Sequence, residues 1–568
     1  MEVGRVLMTF LRIPPPLTLD VPPLGRPVRN WRSFSGKTTT DAALVQMLRA
    51  EKLGGAFWLP VCHGKRRFDH LVSGSGDWGQ TRKIVQVILE KHSGQTICVL
   101  MPEGEDLPIF RHENVVFSRP CEPHDLLERC AAVWGSEPDD LTLLGMVYGR
   151  PVKLLNRHDT FESLSTGQAM GWLAEGVEWT SPFTGRQVDF GTMVDIVSDA
   201  KRAWLQKRSL GVCVGMAWWK RRRIRQFFES SGLPVVFRSR SFAAVQSAKR
   251  RGSGIAVWVS RAPRGLFRLA AAANIPVAKV EDGFLRSIGL GSDLLPPSSI
   301  VLDQRGIYFD PSCRSDLECL LTSTEFTEAL RVRAAALMKV LVERNISKYG
   351  ASPPTGFYRD IPAGKRILLV PGQVGDDLSI RLGCSEIADN LSLLKVVRQR
   401  NPEAYIIFRP HPDVDAGHRK GHVPDDVVLL YADEIQRGGS MTALIACVDE
   451  VHTMTSLAGF EALLRKRSVV TYGQPFYAGW GLTEDMAPPI ARRGRQLSLE
   501  DLVAATLILY PCYLDPVTLL PCGPEILIER LSQSELWKPS LVTRLRRVQG
   551  RLHKHVAHLV SSSARKSK

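Results

Sequence analysis

The sequence predicts an α/β protein with two Rossmann-like halves facing a cleft, preceded by an incomplete, degenerate Rossmann-like half-module. Three observations carry this reading. From Gly54 onward, short apolar runs alternate with amphipathic stretches, the cadence of a doubly wound sheet. The Pro-rich stretch Ala351-Ser352-Pro353-Pro354-Thr355-Gly356 separates two such series. A segment near the N-terminus also lies over one in the second series, which points to an internal repeat.

Residues 1–50, rich in Pro, Arg and Thr and without periodicity, read as a disordered tail or linker. Phe57-Trp58-Leu59-Pro60-Val61 reads as a strand, Thr81 to Lys91 as a helix and Thr96 to Met101 as a strand. Residues 51–157 read as a worn copy of about 363–473. Ile97-Cys98-Val99-Leu100-Met101 lies over Tyr405-Ile406-Ile407-Phe408-Arg409, and Leu141-Thr142-Leu143-Leu144 over Glu461-Ala462-Leu463-Leu464. Glu103 then stands where the later copy has His411. Residues 158–205 are weakly patterned and read as a connector.

Residues 206–350 form the first full Rossmann-like domain, with strands expected at 211–216, 235–237, 255–259 and 277–280 and a long helix at 327–345. A linker follows at 351–364. Residues 365–496 form the second domain, with strands at 366–370 and 404–408 and a helix at 391–399. C-terminal helices occupy 497–540, opened by Ser498 as N-cap with Asp501 three residues on. The tail 541–568 is basic, with Leu541, Leu545, Val548, Leu552 and Val556 on one helical face, suited to an anionic membrane surface.

Composition narrows the partners. In 568 residues, 44% are hydrophobic and 23% charged, an ordinary globular balance that excludes a collagen, a coiled coil and a disordered chain. A net charge of +16 favours phosphate-bearing or polyanionic partners. No nucleic-acid-binding module is recognisable, so nucleic acid is not expected. The 11 cysteines include no CxxC pair, and reduced, mostly buried thiols are expected. No signal peptide and no apolar run of about 18 residues are found, so a cytoplasmic protein without a membrane span is expected. P-loop, GxSxG and HExxH motifs are missing. His418 and His422 are four apart but flank Lys420 and Gly421, a solvated loop, and no metal site is expected.

Five clusters can carry chemistry. Glu281-Asp282-Gly283-Phe284-Leu285-Arg286-Ser287 places two carboxylates at the end of an apolar strand, where α/β sheets bind ligands. A carboxylate there can act as a base or as a nucleophile toward an anomeric carbon, or it can merely cap a helix. Arg286 can pair with an anionic sugar. His411, between Pro410 and Pro412, has little backbone freedom and can donate to a phosphate. Thr455 and Ser456 precede a helix whose free N–H groups and dipole suit an anion, and Glu461 within it can accept from ribose hydroxyls. Gln373 lies in a Gly-containing loop after a strand. Gly473-Gln474-Pro475-Phe476-Tyr477-Ala478-Gly479-Trp480-Gly481 reads as a shaped loop or as turn chemistry.

Taken in order, the strings Glu281 to Gly291, Arg409-Pro410-His411-Pro412, Gly473 to Gly481 and Tyr510-Pro511-Cys512-Tyr513-Leu514-Asp515-Pro516 resemble the KpsC/LipB capsule polysaccharide family of bacterial Kdo transferases. The resemblance spans about residues 206–520. It implies a GT-B fold, with 206–350 on the acceptor side and 365–496 on the donor side. It implies CMP-Kdo as donor substrate, no cofactor and no metal, and a Kdo-bearing glycolipid acceptor at the inner-membrane surface, with capsule assembly and export proteins as further partners. On this reading Asp282 is the nucleophile and Glu281 assists it. His411, Thr455, Ser456 and Gln373 hold the CMP moiety, Glu461 the ribose, and Arg286 the Kdo carboxylate. Family members of this type carry two transferase modules, whereas only one set of signatures is present here. A single working module is expected, and the alternative is a non-catalytic capsule assembly or export factor.

Overall fold

The computed structural model describes residues 10–16, 19–34, 42–74, 77–102, 104–105, 107–156, 158–229, 234–288, 295–348, 350–351 and 364–537. Glu103, most of the linker 351–364 and the tail 541–568 therefore lie outside the described residues. The chain divides into two compact units, 1–204 and 205–568.

The first unit holds a six-stranded sheet of β1 (Phe68–Ser73), β2 (Ile97–Leu100), β3 (Val115–Ser118), β4 (Cys130–Gly135), β5 (Val152–Leu155) and β6 (Phe161–Leu164), in the order β3-β2-β1-β4-β5-β6. All neighbours are parallel except β5 and β6. Four expectations are corrected here. Residues 57–61 form turns, because Pro60 lacks an N–H for a ladder, and the first strand is β1 instead. Within 1–50, Phe10, Leu11 and Ile13 are buried, Gly25–Pro27 pairs with Val177–Thr180, and Ala42–Ala50 is a helix. The connector 158–205 contributes β6 and most of the helix Phe190–Lys207. Cys62 and Cys121 are joined as a disulfide, contrary to the expectation of wholly reduced thiols.

The second unit contains two sheets. The first comprises β7 (Leu210–Val214), β8 (Val236–Arg238), β9 (Gly254–Trp258), β10 (Val277–Asp282) and β11 (Ser299–Asp303). The second comprises β12 (Ile367–Pro371), β13 (Tyr405–Arg409), β14 (Glu434–Ile435), β15 (Glu450–Thr453), β16 (Ser468–Thr471) and β17 (Glu484–Asp485). The chain then returns to the first sheet with β18 (Pro511–Leu514) and β19 (Pro521–Cys522). The orders are β8-β7-β9-β10-β11-β18-β19 and β14-β13-β12-β15-β16-β17. Strands β8, β7, β9 and β10 are parallel, as is the whole second sheet. Their apolar runs are buried on both faces, as helix-covered parallel strands require. Val212, Val214, Ile255 and Val257 pack on Ala244, Ala248, Leu266 and Ala270.

An aromatic cluster binds the two sheets together. The Phe284 ring lies 4.8 Å from Tyr308 and 4.9 Å from Phe476, with Phe460 and Tyr510 at 6.4 Å. The loop Gly473–Gly481 is shaped by turn chemistry and a buried cation. Gly479 and Gly481 have φ of +85° and +81°, the left-handed region that glycine tolerates. Arg493 donates to the carbonyls of Pro475 and Ala478 and pairs with Glu318 at 3.1 Å, both charged side chains being buried. Glu318 lies in the helix Asp316–Ser323 and also pairs with Arg492. Removing one partner of a buried pair costs about 3–5 kcal/mol. Glu318→Ala is expected to lower the unfolding free energy of the second unit by about that much, read by urea denaturation. A loss below about 1 kcal/mol would show that packing alone holds the loop.

Candidate active site

Asp282 ends β10, at the carboxyl edge of the parallel strands. Lys220, in the turn Trp218–Lys220 after β7, reaches across with Nζ 3.1 Å from Oδ1 and 3.2 Å from Oδ2. Arg286 Nε lies 3.0 Å from Oδ2, an ion pair without hydrogen-bond alignment. Lys220 is itself buried, with Nζ 3.5 Å from the Trp258 ring centroid. Arg286 is 1% exposed and donates to Ser287 Oγ and the Leu295 carbonyl.

Burial alone would raise the Asp282 pKa, but Arg286, Lys220 and Lys348 together hold it below the usual carboxylate value. At an effective dielectric of about 20, a unit-charge pair near 3 Å attracts by about 5 kcal/mol, so two such cations outweigh the burial cost. Glu281 accepts from the Asp282 N–H at 3.0 Å. Burial, and then the adjacent Asp282 charge, raise its pKa to about 7. Two adjacent carboxyls are thus separated: one is ionised throughout and the other is poised near neutrality, the pattern of acid/base pairs. Lys220 is lowered by burial, against the pull of Asp282 and Glu281.

The second sheet supplies the opposite wall. His411 follows β13 and caps the short helix Pro412–Asp415, its Nδ1 accepting from the Asp413 N–H at 3.1 Å. That places the proton on Nε2, which is left to donate elsewhere. Burial lowers the His411 pKa, so the ring is neutral at pH 7. Ser456 caps the helix Leu457–Leu464, its Oγ accepting from Ala458 N–H at 3.2 Å. Tyr477 Oη donates to the Ser456 carbonyl at 2.5 Å, and a side chain at Gly459 would collide with that ring.

Gln373 is spent inside the protein. Its Oε1 accepts from Thr453 Oγ1 and from the Met454 and Thr455 N–H groups at 3.0, 3.0 and 3.1 Å, and its Nε2 donates to Thr455 Oγ1. It is a positioning residue that stitches the loop after β12 to the loop after β15. Glu461 is buried, its pKa raised by burial, and its Oε1 accepts from Lys348 N–H at 3.4 Å. The Lys348 carbonyl in turn accepts from Arg286 N–H at 3.0 Å, so one residue bridges the two walls.

The expected role of Arg286 is corrected. Its guanidinium is buried on Asp282, Ser287 and Leu295 and leaves no face for a sugar carboxylate. Three residues escaped the sequence reading. Lys220 follows a strand end in the same sheet as Asp282, a position the α/β rule marks. Lys348 sits in a two-strand hairpin that no periodicity betrays. Arg409, one residue from the His-Pro motif, is buried, donates to the Gly439 carbonyl and leaves Nη1 unpartnered. It lines a cavity of about 270 Å³ with Pro410, Pro412, Arg437 and Gly439.

Glu281 binds its proton more tightly in the folded state than its usual 4.5. The folded protein therefore holds more protons between about 4.5 and 7, and stability falls as pH rises through that window. Glu281→Gln cannot ionise. It is expected to be more stable than the native chain at pH 8 and to lose that advantage toward pH 4.5, by urea midpoints at both values. A native chain more stable than the variant at pH 8 would contradict the assignment.

Residues 253–513 match the family described as capsule polysaccharide biosynthesis protein. The chain is 43% identical over 342 residues to the capsule polysaccharide modification protein LipA of Neisseria meningitidis serogroup A, covering 60% of this chain and 48% of LipA. It is 38% identical over 319 residues to the lipopolysaccharide-processing protein LpsZ of Rhizobium meliloti, covering 56% of this chain and 72% of LpsZ. The chain spans about half the length of the meningococcal relatives it matches. Among solved structures, the Thermosulfurimonas dismutans KpsC β-Kdo 2,7 transferase is 33% identical, with a TM-score of 0.47, over 57% of this chain and 99% of that one. The chain belongs to the KpsC/LipB capsule polysaccharide family.

Proposed function

We propose that the second unit is a glycosyltransferase that moves β-Kdo from CMP-Kdo to a Kdo-bearing, lipid-anchored linker of a bacterial capsule, at the inner-membrane surface. The observation that carries the chemistry is the split carboxyl pair, an ionised Asp282 beside a Glu281 poised near pH 7. The motif resemblance supplies the sugar.

In this reading Asp282 attacks the anomeric carbon of Kdo. A carboxylate has about four lone-pair directions; Lys220 takes one on each oxygen and Arg286 pairs without hydrogen-bond alignment, so a direction remains for the attack. The bond from that carbon to the CMP phosphate breaks, and CMP leaves with the electron pair. The His411 Nε2–H and the helix end at Ser456 meet the departing phosphate. The acceptor hydroxyl then displaces Asp282, giving its proton to Glu281. Two inversions give net retention. With Asp282 as a base instead, a single displacement would invert.

The first unit is read as a degenerate copy that takes no nucleotide. Its sheet has the same strand order as the β12–β17 sheet. Where β15 is followed by Ser456, a neutral hydroxyl cap, the first unit has Asp139, whose carboxylate caps the helix Asp140–Val147 and accepts from Ser73. An anion site is thereby filled by the protein's own carboxylate. Counted from the caps, Leu144 rather than Leu141 stands opposite Glu461, a register three residues from the sequence alignment, and in either register a leucine replaces the ribose acceptor.

Incubation with CMP-Kdo, generated in situ, and a panel of synthetic Kdo acceptors, read by mass spectrometry, tests the reading. Transfer is expected, and Asp282→Asn should nearly abolish it while calorimetry still detects CMP binding. No transfer to any acceptor would favour an assembly factor. A variant with near-native turnover would exclude Asp282 as nucleophile and as base. His411→Ala should weaken CMP binding by about 1.5–3 kcal/mol, the value of a hydrogen bond to a charged group. Glu103→Ala should leave it unchanged, and equal losses would mean that the first unit also binds nucleotide.

A further inference from the structure

The charge surplus of this chain is concentrated in one place. Residues 205–280 contain sixteen Lys and Arg and a single acid, Glu229, so this stretch carries +15 of the +16. Seven of its ten exposed guanidinium groups gather at one edge of the first sheet of the second unit, while Arg208, Arg250 and Arg251 precede the amino ends of β7 and β9. Arg221, Arg222 and Arg225 lie on the helix Arg221–Glu229 after β7, and Arg240 precedes the helix Ser241–Arg251 after β8. Arg261, Arg264 and Arg268 lie around the start of the helix Leu266–Ala272 after β9. All three loops leave the carboxyl ends of parallel strands, the edge at which β10 presents Asp282.

The same edge carries exposed aromatics. Trp218 is 72% exposed, Phe242 68% and Phe267 43%, one in the first helical turn after each of β7, β8 and β9, with Leu269 near the last at 37%. Among the described residues these are the large exposed Trp and Phe side chains. The loops adjoin. Ser241 Oγ donates to the Arg264 carbonyl at 2.9 Å, and a Cβ on Gly215 would lie 2.8 Å from the Arg261 carbonyl. Trp218 is two residues from Lys220, which touches Asp282.

We propose that this rim is a docking surface for an anionic lipid leaflet. Arginines alone would suit any polyanion. Aromatic side chains held in water among arginines suit a bilayer interface, where the ring sits at headgroup level and the cation meets lipid phosphate. Each cation near an anionic surface strengthens binding by about fivefold, so seven give firm but reversible attachment without a membrane span. Docking by this edge turns the carboxyl ends of the strands, and Asp282, toward the leaflet. The surface deepens the proposed reading, which rests on a lipid-anchored acceptor, but its test needs neither donor nor acceptor.

The full chain is sedimented with vesicles of phosphatidylcholine plus phosphatidylglycerol, and with phosphatidylcholine alone. It is expected to partition to the anionic vesicles only. A set with Arg222→Gln, Arg240→Gln, Arg264→Gln and Arg268→Gln, and a second with Trp218→Ser, Phe242→Ser and Phe267→Ser, should each reduce partitioning at least tenfold. A chain ending at residue 540 should retain binding. If the aromatic set fails to fold, the arginine set decides alone, since those side chains are exposed. Unchanged partitioning in the arginine set, or loss of binding only on removing 541–568, overturns the proposal. So does binding to a soluble acidic polysaccharide with no partition of the native chain to vesicles, which would make the rim a glycan-binding surface.

Discussion

The site depends on a buried carboxylate held between two buried cations. Without Lys220 and Arg286, Asp282 would share the fate of Glu281 and rise toward neutrality; with them it is ionised, and the repulsion falls on its neighbour. Each cation is fixed by something else. Lys220 lies against the Trp258 ring, at the end of the adjacent strand. Arg286 is anchored through Ser287 and Leu295, and its backbone N–H donates to the Lys348 carbonyl, while the Lys348 N–H reaches Glu461 in the helix Leu457–Leu464 that follows β15 of the second sheet. The electrostatics of the carboxyl pair and the seam between the two sheets are therefore one network.

Much of this was legible in the sequence. Strands at 210–214, 254–258, 367–371 and 405–409 and the helices 328–343 and 390–400 follow from apolar runs and 3.6-residue periodicity, because packing on both faces of a parallel sheet leaves such marks. The Ser498 cap with Asp501 also formed, as a reciprocal capping box. What failed was local pattern without a tertiary partner. Phe57 to Val61 is apolar enough for a strand, yet Phe57 packs against Trp58 and Trp204 in a turn. Phe10 and Leu11 looked like a tail and are buried.

Of the site, the residues at strand ends were legible and their partners were not. Asp282, Glu281, His411 and Ser456 each follow an apolar run. The Arg286 assignment failed because a sequence shows that an arginine is near a carboxylate motif but not whether its guanidinium faces the ligand or the carboxylate. Gln373 was placed correctly in its loop, yet both ends of its amide are consumed by the neighbouring loop. Lys220 lies 62 residues from its partner, and only the strand order β7-β9-β10 brings them together.

The central claim is that an ionised Asp282 acts as nucleophile while Glu281 handles the proton. Intact-protein and peptide mass spectrometry after mixing the protein with CMP-Kdo, without acceptor, tests it most directly. A mass gain of one Kdo is expected on the peptide containing Asp282, absent from Asp282→Asn and lost when acceptor is added. Transfer to acceptor with inverted configuration and no adduct at Asp282 would contradict it.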